Sequence, residues 1–257
     1  MATYLRERAS LPVPRYLKNF TFCDHRPHIK RHNHTREHAS PITKPSIIPA
    51  NDTYTRTHVH TYTRTHALAS TPAEMQYRKV DLYGGAITVD LPTAYGDASQ
   101  IREVPDHQEL YLDENGYSGV IVEILEYVAK PTDAEALQYH FADLVDGTGD
   151  ETNMLEQAHA AMAKVANKPV YTLSFIQTPP PPDRPRKTPD FVAIHLLLLR
   201  LKEQGTDVMV TINAPHYPGE YDEAEAGEKT ALMREGDEIA KRVLESFDIK
   251  DWSLFQG

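Results

Sequence analysis

The sequence has one cysteine, Cys23, among its 257 residues, and it has no long apolar run. A single cysteine excludes an intramolecular disulfide, which fits a reducing compartment. The longest apolar stretch, residues 191–201, contains His195 and Arg200 and is shorter than the roughly 18 to 20 residues of a membrane span. The first residues lack the apolar core of a secretory signal, although an arginine-containing organelle transit peptide stays open. We expect no membrane segment.

Several motifs of catalysis and cofactor binding are also missing. The glycines at 84–85 and 147–149 do not form the GxxxxGK[ST] phosphate loop, and there is no HExxH helix, paired cysteine or GxSxG elbow. Five histidines between 25 and 38 have spacings that a metal could use, but adventitious binding is the simpler interpretation. The sequence therefore predicts no cofactor, no specific metal site and no catalytic site.

Charge is distributed unevenly along the chain. Residues 1–74 contain 11 Lys and Arg against 5 Asp and Glu, whereas the remainder has 16 basic and 32 acidic residues, a balance of −16. Nucleic-acid binding requires clustered Lys and Arg on the folded part. The acidic part instead favours a basic protein partner, and we expect no nucleic-acid binding.

Composition divides the chain near Met75. Residues 1–74 are rich in His, Pro, Thr and Arg, hold eight of the thirteen histidines and repeat TYTRTH at 53–58 and 61–66. With few large apolar residues to bury, this tail is predicted to be disordered. We hypothesise that synthesis starts at Met75 and that residues 1–74 are not part of the natural product. The predicted domain is then 75–257.

Turn and capping signals predict the elements of that domain. Gly84-Gly85 separates two strands within 80–92, and Asn115-Gly116 predicts a hairpin between strands at 108–113 and 119–128. The capping-box pattern at 132–135 predicts a helix that continues to Gly147. Runs of hairpins with a few amphipathic helices indicate the α+β class.

The second half of the domain combines further helices and strands. We expect a weak helix at 151–166, a strand at 169–177, a hairpin around Gly205 and a final helix at about 228–247. His195 is interpreted as a strand-core or hairpin histidine and His216 as a surface histidine. The segment 178–190 predicts an extended, exposed connection. Its PPPPDRPR stretch could be read by an SH3-type module, but a plain loop is the simpler interpretation.

The stretch VPDHQELYLD, residues 104–113, places Asp106 and Glu109 at the entrance of a predicted strand. Two carboxylates could form a hydrolytic dyad, but such a dyad lies across a cleft, which a three-residue separation does not provide. Carboxylates are most often surface residues, so a solvated strand end is the favoured interpretation on pattern alone. A surface for a basic partner is the remaining alternative.

Three blocks and the ending favour the last alternative. LYGGAITVDLP, IREVPDHQELYLD and VIVEILEYV, followed by IKDWSLF with the only tryptophan, resemble the Ran guanine nucleotide release factor (Mog-type) family from about Tyr77 to Gln256. The resemblance implies an α/β/α sandwich with a six-stranded antiparallel sheet flanked by helices, similar to the PsbP proteins. Residues 1–74 have no counterpart in it, and 178–190 cannot be aligned.

The resemblance also implies a function. It implies a monomeric, non-enzymatic regulator in nucleus and cytoplasm that binds the small GTPase Ran, promotes guanine nucleotide release and supports nuclear protein import. Further Ran-binding cofactors stay an open alternative, as does a PsbP-like lumenal photosystem assembly factor. The residues that match the family's partner-binding block are Asp106 and Glu109, the acidic pair, with Arg102, Val104 and Pro105 shaping the patch.

Overall fold

The computed structural model describes residues 75–256. The predictions about the tail, including its histidines, lie outside these residues. Within residues 75–256 there are two α-helices, α1 at Asp133–Val145 and α2 at Ala231–Ser246. The strands in chain order are β1 Tyr77–Leu82, β2 Ile87–Pro92, β3 Tyr95–Asp97, β4 Gln108–Asp113, β5 Gly119–Glu126, β6 Glu151–Met162, β7 Lys168–Thr178, β8 Phe191–Leu201, β9 Thr206–His216 and β10 Asp248–Ile249.

The strands form two antiparallel sheets. The larger sheet has seven strands in the order β3-β4-β5-β9-β8-β7-β6, and the smaller has three in the order β1-β2-β10. The α+β class is confirmed, but the expected six-stranded sheet is wrong. Two of the seven strands were not expected from the sequence: the short β3, and β6, whose residues 151–162 lie in a segment expected to be helical.

Strand β6 lies at one edge of the large sheet. It pairs with β7 from Glu151 opposite Thr178 to Met162 opposite Lys168, with a bulge between Met154 and Glu156. Its Glu, Gln, Ala and Met residues favour a helix when isolated, but intrinsic propensity is a weak prior that tertiary pairing overrides. The ladder to β7 therefore decides the conformation that the local pattern left ambiguous.

Local turn chemistry agrees with the fold at the hairpins and at α1. Asn115-Gly116 connects β4 to β5, and Gly205 connects β8 to β9 with φ of 61°. The Thr132 side chain accepts a hydrogen bond from the Glu135 N–H, and the Glu135 carboxylate accepts one from the Thr132 N–H. This reciprocal pair satisfies two donors that a helix start leaves unpaired.

Helices cover both faces of the large sheet. Because successive side chains on a strand point to opposite faces, Leu196 and Leu198 pack in the cluster with α1, whereas Leu197 and Leu199 pack in the cluster with α2 and the small sheet. The layered sandwich expected from the resemblance is confirmed at this level. No helix in the described part of the chain is long and apolar enough to cross a membrane.

The two histidines of the C-terminal half differ in outcome. His195 lies on β8, is mostly buried and forms a 2.8 Å hydrogen bond through Nδ1 with Ser174, so the strand-core interpretation is confirmed. The expectation of a surface His216 is wrong, because β9 extends to that residue and buries it. Its Nε2 lies 2.7 Å from Oγ1 of Thr230, the residue that caps α2.

Candidate partner-binding surface

The segment between β3 and β4 carries the predicted partner-binding block. It begins with one short helical turn, Ala98–Gln100, which Asp97 caps by accepting a hydrogen bond from the Ser99 N–H at 2.8 Å. Ala98 is buried in a small cluster with Leu110 and Ile121. These contacts fix the segment onto β4 and β5.

Asp106 lies at the tip of a tight turn. The Gln108 N–H donates to the Pro105 carbonyl at 2.9 Å, and this bond closes the turn immediately before β4. The Asp106 side chain is exposed. Because a hydrated carboxylate at such a position needs no rearrangement to meet a cation, Asp106 is well placed for contact with a basic group.

Glu109 has a different environment. It is half-buried near the start of β4, and its Oε1 accepts a hydrogen bond from the Tyr83 N–H at 2.6 Å. Burial raises the pKa of the Glu109 carboxyl, the Tyr83 N–H opposes that effect, and the Asp97 carboxylate adds to it. Within residues 75–256 the second carboxylate oxygen of Glu109 makes no further hydrogen bond, so it can accept one from a partner.

The turn at Tyr83–Gly85 is built around this contact. Tyr83, Gly84 and Gly85 have φ values of 51°, 66° and 91°, and a positive φ strains residues that carry a Cβ. The Tyr83 hydroxyl lies 3.0 Å from the His107 carbonyl oxygen and 2.8 Å from that of Val122, and its single proton can be donated to either. Both ends of Tyr83 thus fix the turn to β4 and β5, and Glu109 contributes to that anchoring.

A second carboxyl lies beneath the surface. Glu123 on β5 is buried opposite Gln108, whose Nε2 donates to its Oε1 at 2.6 Å. Burial raises the pKa of Glu123 to about 7, while the Gln108 hydrogen bond and His140 lower it and Asp143 raises it. The side chains at 108 and 109 therefore point to opposite faces of the sheet, one inward to Glu123 and one towards Tyr83.

The five predicted residues occupy one continuous segment with different exposures. Arg102 and Asp106 are exposed, Val104 and Pro105 are half-buried, and Val104 packs against the cluster of Ala98, Leu110 and Ile121. Val104 therefore supports the segment from inside. Sequence reasoning missed the contact of Tyr83 with Glu109, for which the only local signal was the glycine pair that follows Tyr83.

The surface suits electrostatic recognition. No group of three or more His, Cys, Asp or Glu within residues 75–256 is arranged to hold a metal ion. Asp106 and Glu109 carry acceptors, and the part of the chain that includes them has a charge balance of −16. The fold and this segment define an α+β domain in which the Tyr83–Gly85 turn holds Glu109 at an acidic strand entrance.

Comparison with known proteins identifies the family. The family model described as "Ran-interacting Mog1 protein" matches residues 80–215. A probable Ran guanine nucleotide release factor of Dictyostelium discoideum is 30% identical over 190 residues, covering 70% of this chain and 96% of its own length. The chain belongs to the Ran-interacting Mog1 family.

Other similar proteins agree with this assignment. The nuclear import protein MOG1 of Saccharomyces cerevisiae is 32% identical over 192 residues, covering 70% of this chain and 86% of its own. The crystal structure of the Ran-binding protein Mog1p from the same yeast has 30% identity and a TM-score of 0.58, with 70% and 99% of the two chains covered. PsbP from Synechocystis sp. PCC 6803 is more distant, at 13% identity over 71% and 98% of the chains and a TM-score of 0.42.

Proposed function

We propose that this protein binds the GTPase Ran, promotes release of its guanine nucleotide and thereby supports nuclear protein import. Its membership of the Ran-interacting Mog1 family carries this proposal, together with relatives named as Ran guanine nucleotide release factors and nuclear import proteins. The protein acts as a regulator, with no chemical step performed by its own side chains. Nucleus and cytoplasm are its proposed locations.

The proposed contact surface comprises Asp106, Glu109, Arg102, Val104 and Pro105. Asp106 supplies the exposed charge, and Glu109 supplies a half-buried acceptor held in place by the Tyr83 N–H. Both can pair with Lys or Arg side chains of the GTPase that otherwise hold phosphate or support the loops around it. The half-buried Val104 and Pro105 fix the backbone between Arg102 and Asp106, so that these side chains project from a defined frame.

Nucleotide release follows from unequal binding. A partner that binds the nucleotide-free form of a GTPase more tightly than the loaded form lowers nucleotide affinity by the same factor, because the two binding equilibria are linked. Competition by Asp106 and Glu109 for basic groups needed by the phosphates would provide this inequality. The acidic charge of the domain would also accelerate encounter with a basic surface.

The test uses single variants chosen for their local contacts. Asp106→Lys reverses an exposed charge, and Glu109→Gln removes a charge while its amide oxygen can still accept from Tyr83. Glu245→Lys, an exposed position on α2, is the matched control for charge. We expect the first two variants to lose capture of nucleotide-free Ran and acceleration of nucleotide release, and the control to retain both.

Thermal unfolding separates loss of binding from loss of fold, and the Asp106 and Glu109 variants should keep a cooperative transition. If Ran releases nucleotide as fast with Asp106→Lys and with Glu109→Gln as with the unmodified protein, this surface is not the binding site. If the unmodified protein does not accelerate release above the intrinsic rate of Ran, the proposed function itself is rejected. The association rate should fall as ionic strength rises, because salt screens exposed charges.

The extent of the functional unit and its location are proposed separately. We propose that residues 75–257 suffice for binding as a monomer and that residues 1–74 are dispensable. Equal capture of Ran by the full chain and by a chain that begins at Met75 is the expected result. Imaging of a C-terminally tagged protein should show nucleus and cytoplasm, whereas a plastid signal would support the PsbP-like alternative.

A further inference from the structure

The connection between β7 and β8 contains a sequence pattern that the proposed function does not use. Residues 179–184 read Pro-Pro-Pro-Pro-Asp-Arg, which is the arrangement PxxPxR, and residues 181–187 are all exposed. Proline fixes φ near −65° and lacks an N–H, so a proline run favours the polyproline II helix and cannot join a sheet ladder. Residues 179–184, called the ridge below, belong to no helix or strand.

Both ends of the ridge are anchored. At its start, Thr178 pairs with Glu151 in the ladder between β6 and β7. At its end, the Lys187 ammonium donates to the Tyr117 hydroxyl and to Glu220 at 3.1 Å, and Pro189 is buried. Anchored ends reduce the conformational entropy that a flexible peptide loses on binding.

Two overlapping registers of the pattern exist, and the contacts favour one. Residues 179–184 end in Arg184, whereas residues 182–187 have the same spacing and end in Lys187. Lys187 is engaged by Tyr117 and Glu220 and lies 5.1 Å from the Tyr217 ring centroid. Within residues 75–256 the Arg184 side chain makes no hydrogen bond or ion pair. The basic residue of the first register is therefore free to meet a partner, whereas that of the second is engaged; among the prolines, Pro179 is half-buried and Pro185 is exposed.

The chemistry of the ridge defines its partner. A polyproline II helix has three residues per turn, so the half-buried Pro179 and the exposed Pro182 lie on one edge, which can enter an aromatic-lined groove. Arg184 follows at the end of the ridge and needs a carboxylate pocket beside that groove, where its planar guanidinium forms charge-assisted hydrogen bonds. We propose that residues 179–184 are the docking site for an SH3-type domain with an acidic pocket.

Charge and distance separate this site from the acidic surface. Arg184 and Arg186 carry positive charge in a domain whose balance is −16, so an acidic groove would be attracted to this segment more than to the acidic surface. Lys187 binds Tyr117 in the β4–β5 hairpin, at the opposite end of β4 from Asp106. Six strand residues span about 20 Å, which leaves room for two different partners.

The proposal is tested with the full chain and purified domains. Isothermal titration and NMR shift mapping would use a panel of SH3 domains that carry carboxylates beside the groove, with WW domains in parallel. We expect saturable one-to-one binding to at least one SH3 domain of the panel. Arg184→Glu should lower that affinity at least about tenfold, the effect of losing a charge-assisted hydrogen bond.

Matched variants distinguish the register from a general charge effect. Arg186→Glu makes the same change of charge outside PxxPxR. This variant should keep at least most of the affinity of the unmodified protein, whereas Arg184→Glu should not. Pro179→Ala interrupts only the first register and should weaken binding, whereas Pro185→Ala interrupts only the second and should leave binding unchanged. Thermal unfolding of each variant confirms that the fold is kept.

Each contrary outcome overturns the proposal. These outcomes are binding to no SH3 domain of the panel, binding to WW domains alone, equal losses from Arg184→Glu and Arg186→Glu, or sensitivity to Pro185→Ala instead of Pro179→Ala. Ran capture by the Arg184 and Pro179 variants should equal that of the unmodified chain. A failure of the proposed Ran function would leave the SH3 titration unaffected, so the two hypotheses fail separately.

Discussion

The buried carboxyl of Glu123 should make the stability of the domain depend on pH. Only 3% of the Glu123 side chain is exposed, and burial raises its pKa from 4.5 to about 7. A raised carboxyl pKa means that the folded protein favours the protonated form. The free energy of unfolding should therefore decrease as pH rises from the ordinary pKa through 7. Above that range the whole of this loss of stability is present.

The magnitude follows from the gap between the two pKa values. A gap of about 2.5 pH units corresponds to about 3 kcal/mol when the carboxyl is fully ionised in both states. Between pH 5.5 and pH 8 the expected loss is about 2 kcal/mol, because part of the cost is already present at the lower pH. The groups that face Glu123 are Gln108 on β4 and His140 and Asp143 on α1.

The variant Glu123→Gln isolates this effect. Its amide oxygen can still accept from Gln108, but it does not titrate. Urea unfolding of both proteins at several pH values gives the difference in the free energy of unfolding, from which ionisations common to both proteins largely cancel. We expect Glu123→Gln to gain about 2 kcal/mol relative to the unmodified protein between pH 5.5 and pH 8.

A constant difference across that pH range would refute the reasoning, since it would show that Glu123 has the same pKa in the folded and unfolded states. A difference that changes in the opposite direction would show that Glu123 is stabilised as an anion, with Gln108 and His140 outweighing burial. Infrared spectroscopy of the carboxyl stretch gives an independent check, because a protonated Glu123 near neutral pH has its own band.

Three further changes test the supports of the fold. Arg200→Met should lower the free energy of unfolding by about 2 to 3 kcal/mol, because the buried Asp207 loses its charge-assisted guanidinium bond and keeps only the Val128 N–H and His140. Lys168→Met, at a pair open to solvent, should change stability by less than about 1 kcal/mol; equal effects would contradict this. Thr132→Ala should cost about 1 kcal/mol through loss of the helix cap, and an unchanged unfolding midpoint would show the capping box to be unimportant. Gly85→Ala should lower the free energy of unfolding by about 1 to 2 kcal/mol. The loss comes from the φ of 91° alone, because no atom lies within 4 Å of the added Cβ. Unchanged stability would mean that the turn relaxes to accept alanine.

The sequence predicts those elements whose signals are local chemistry. Thr132 and Glu135 satisfy each other's backbone donors at the start of α1. Because they are only three positions apart, a short segment of sequence is enough to predict this cap. Asn115-Gly116 likewise marks the hairpin between β4 and β5, although the loop has five residues and neither Asn115 nor Gly116 has the positive φ of a two-residue turn. In β6, by contrast, residues with helical propensity pair with β7, and the partner strand is not encoded in the segment itself.

The candidate site shows the same division. The block around Asp106 is recognisable in the sequence, and its exposed turn agrees with the expectation of a surface carboxylate. The hydrogen bond between Glu109 and the Tyr83 N–H joins residues 26 positions apart. It depends on how β4 lies against the Tyr83–Gly85 turn, which is a matter of tertiary packing. Predictions from the resemblance alone therefore treated Asp106 and Glu109 as equivalent. In the structure Asp106 is exposed, whereas Glu109 is half-buried and hydrogen-bonded to the Tyr83 N–H.

The composition of β6 has a consequence for how the protein behaves before it is folded. An exposed edge strand is ordinarily a template on which other chains add strands. In β6, however, the residues favour a helix when β7 is absent, and Glu151 and Glu156 place like charges along the strand. Newly made chains at high concentration would therefore keep this segment out of intermolecular sheets until its own partner strand is available.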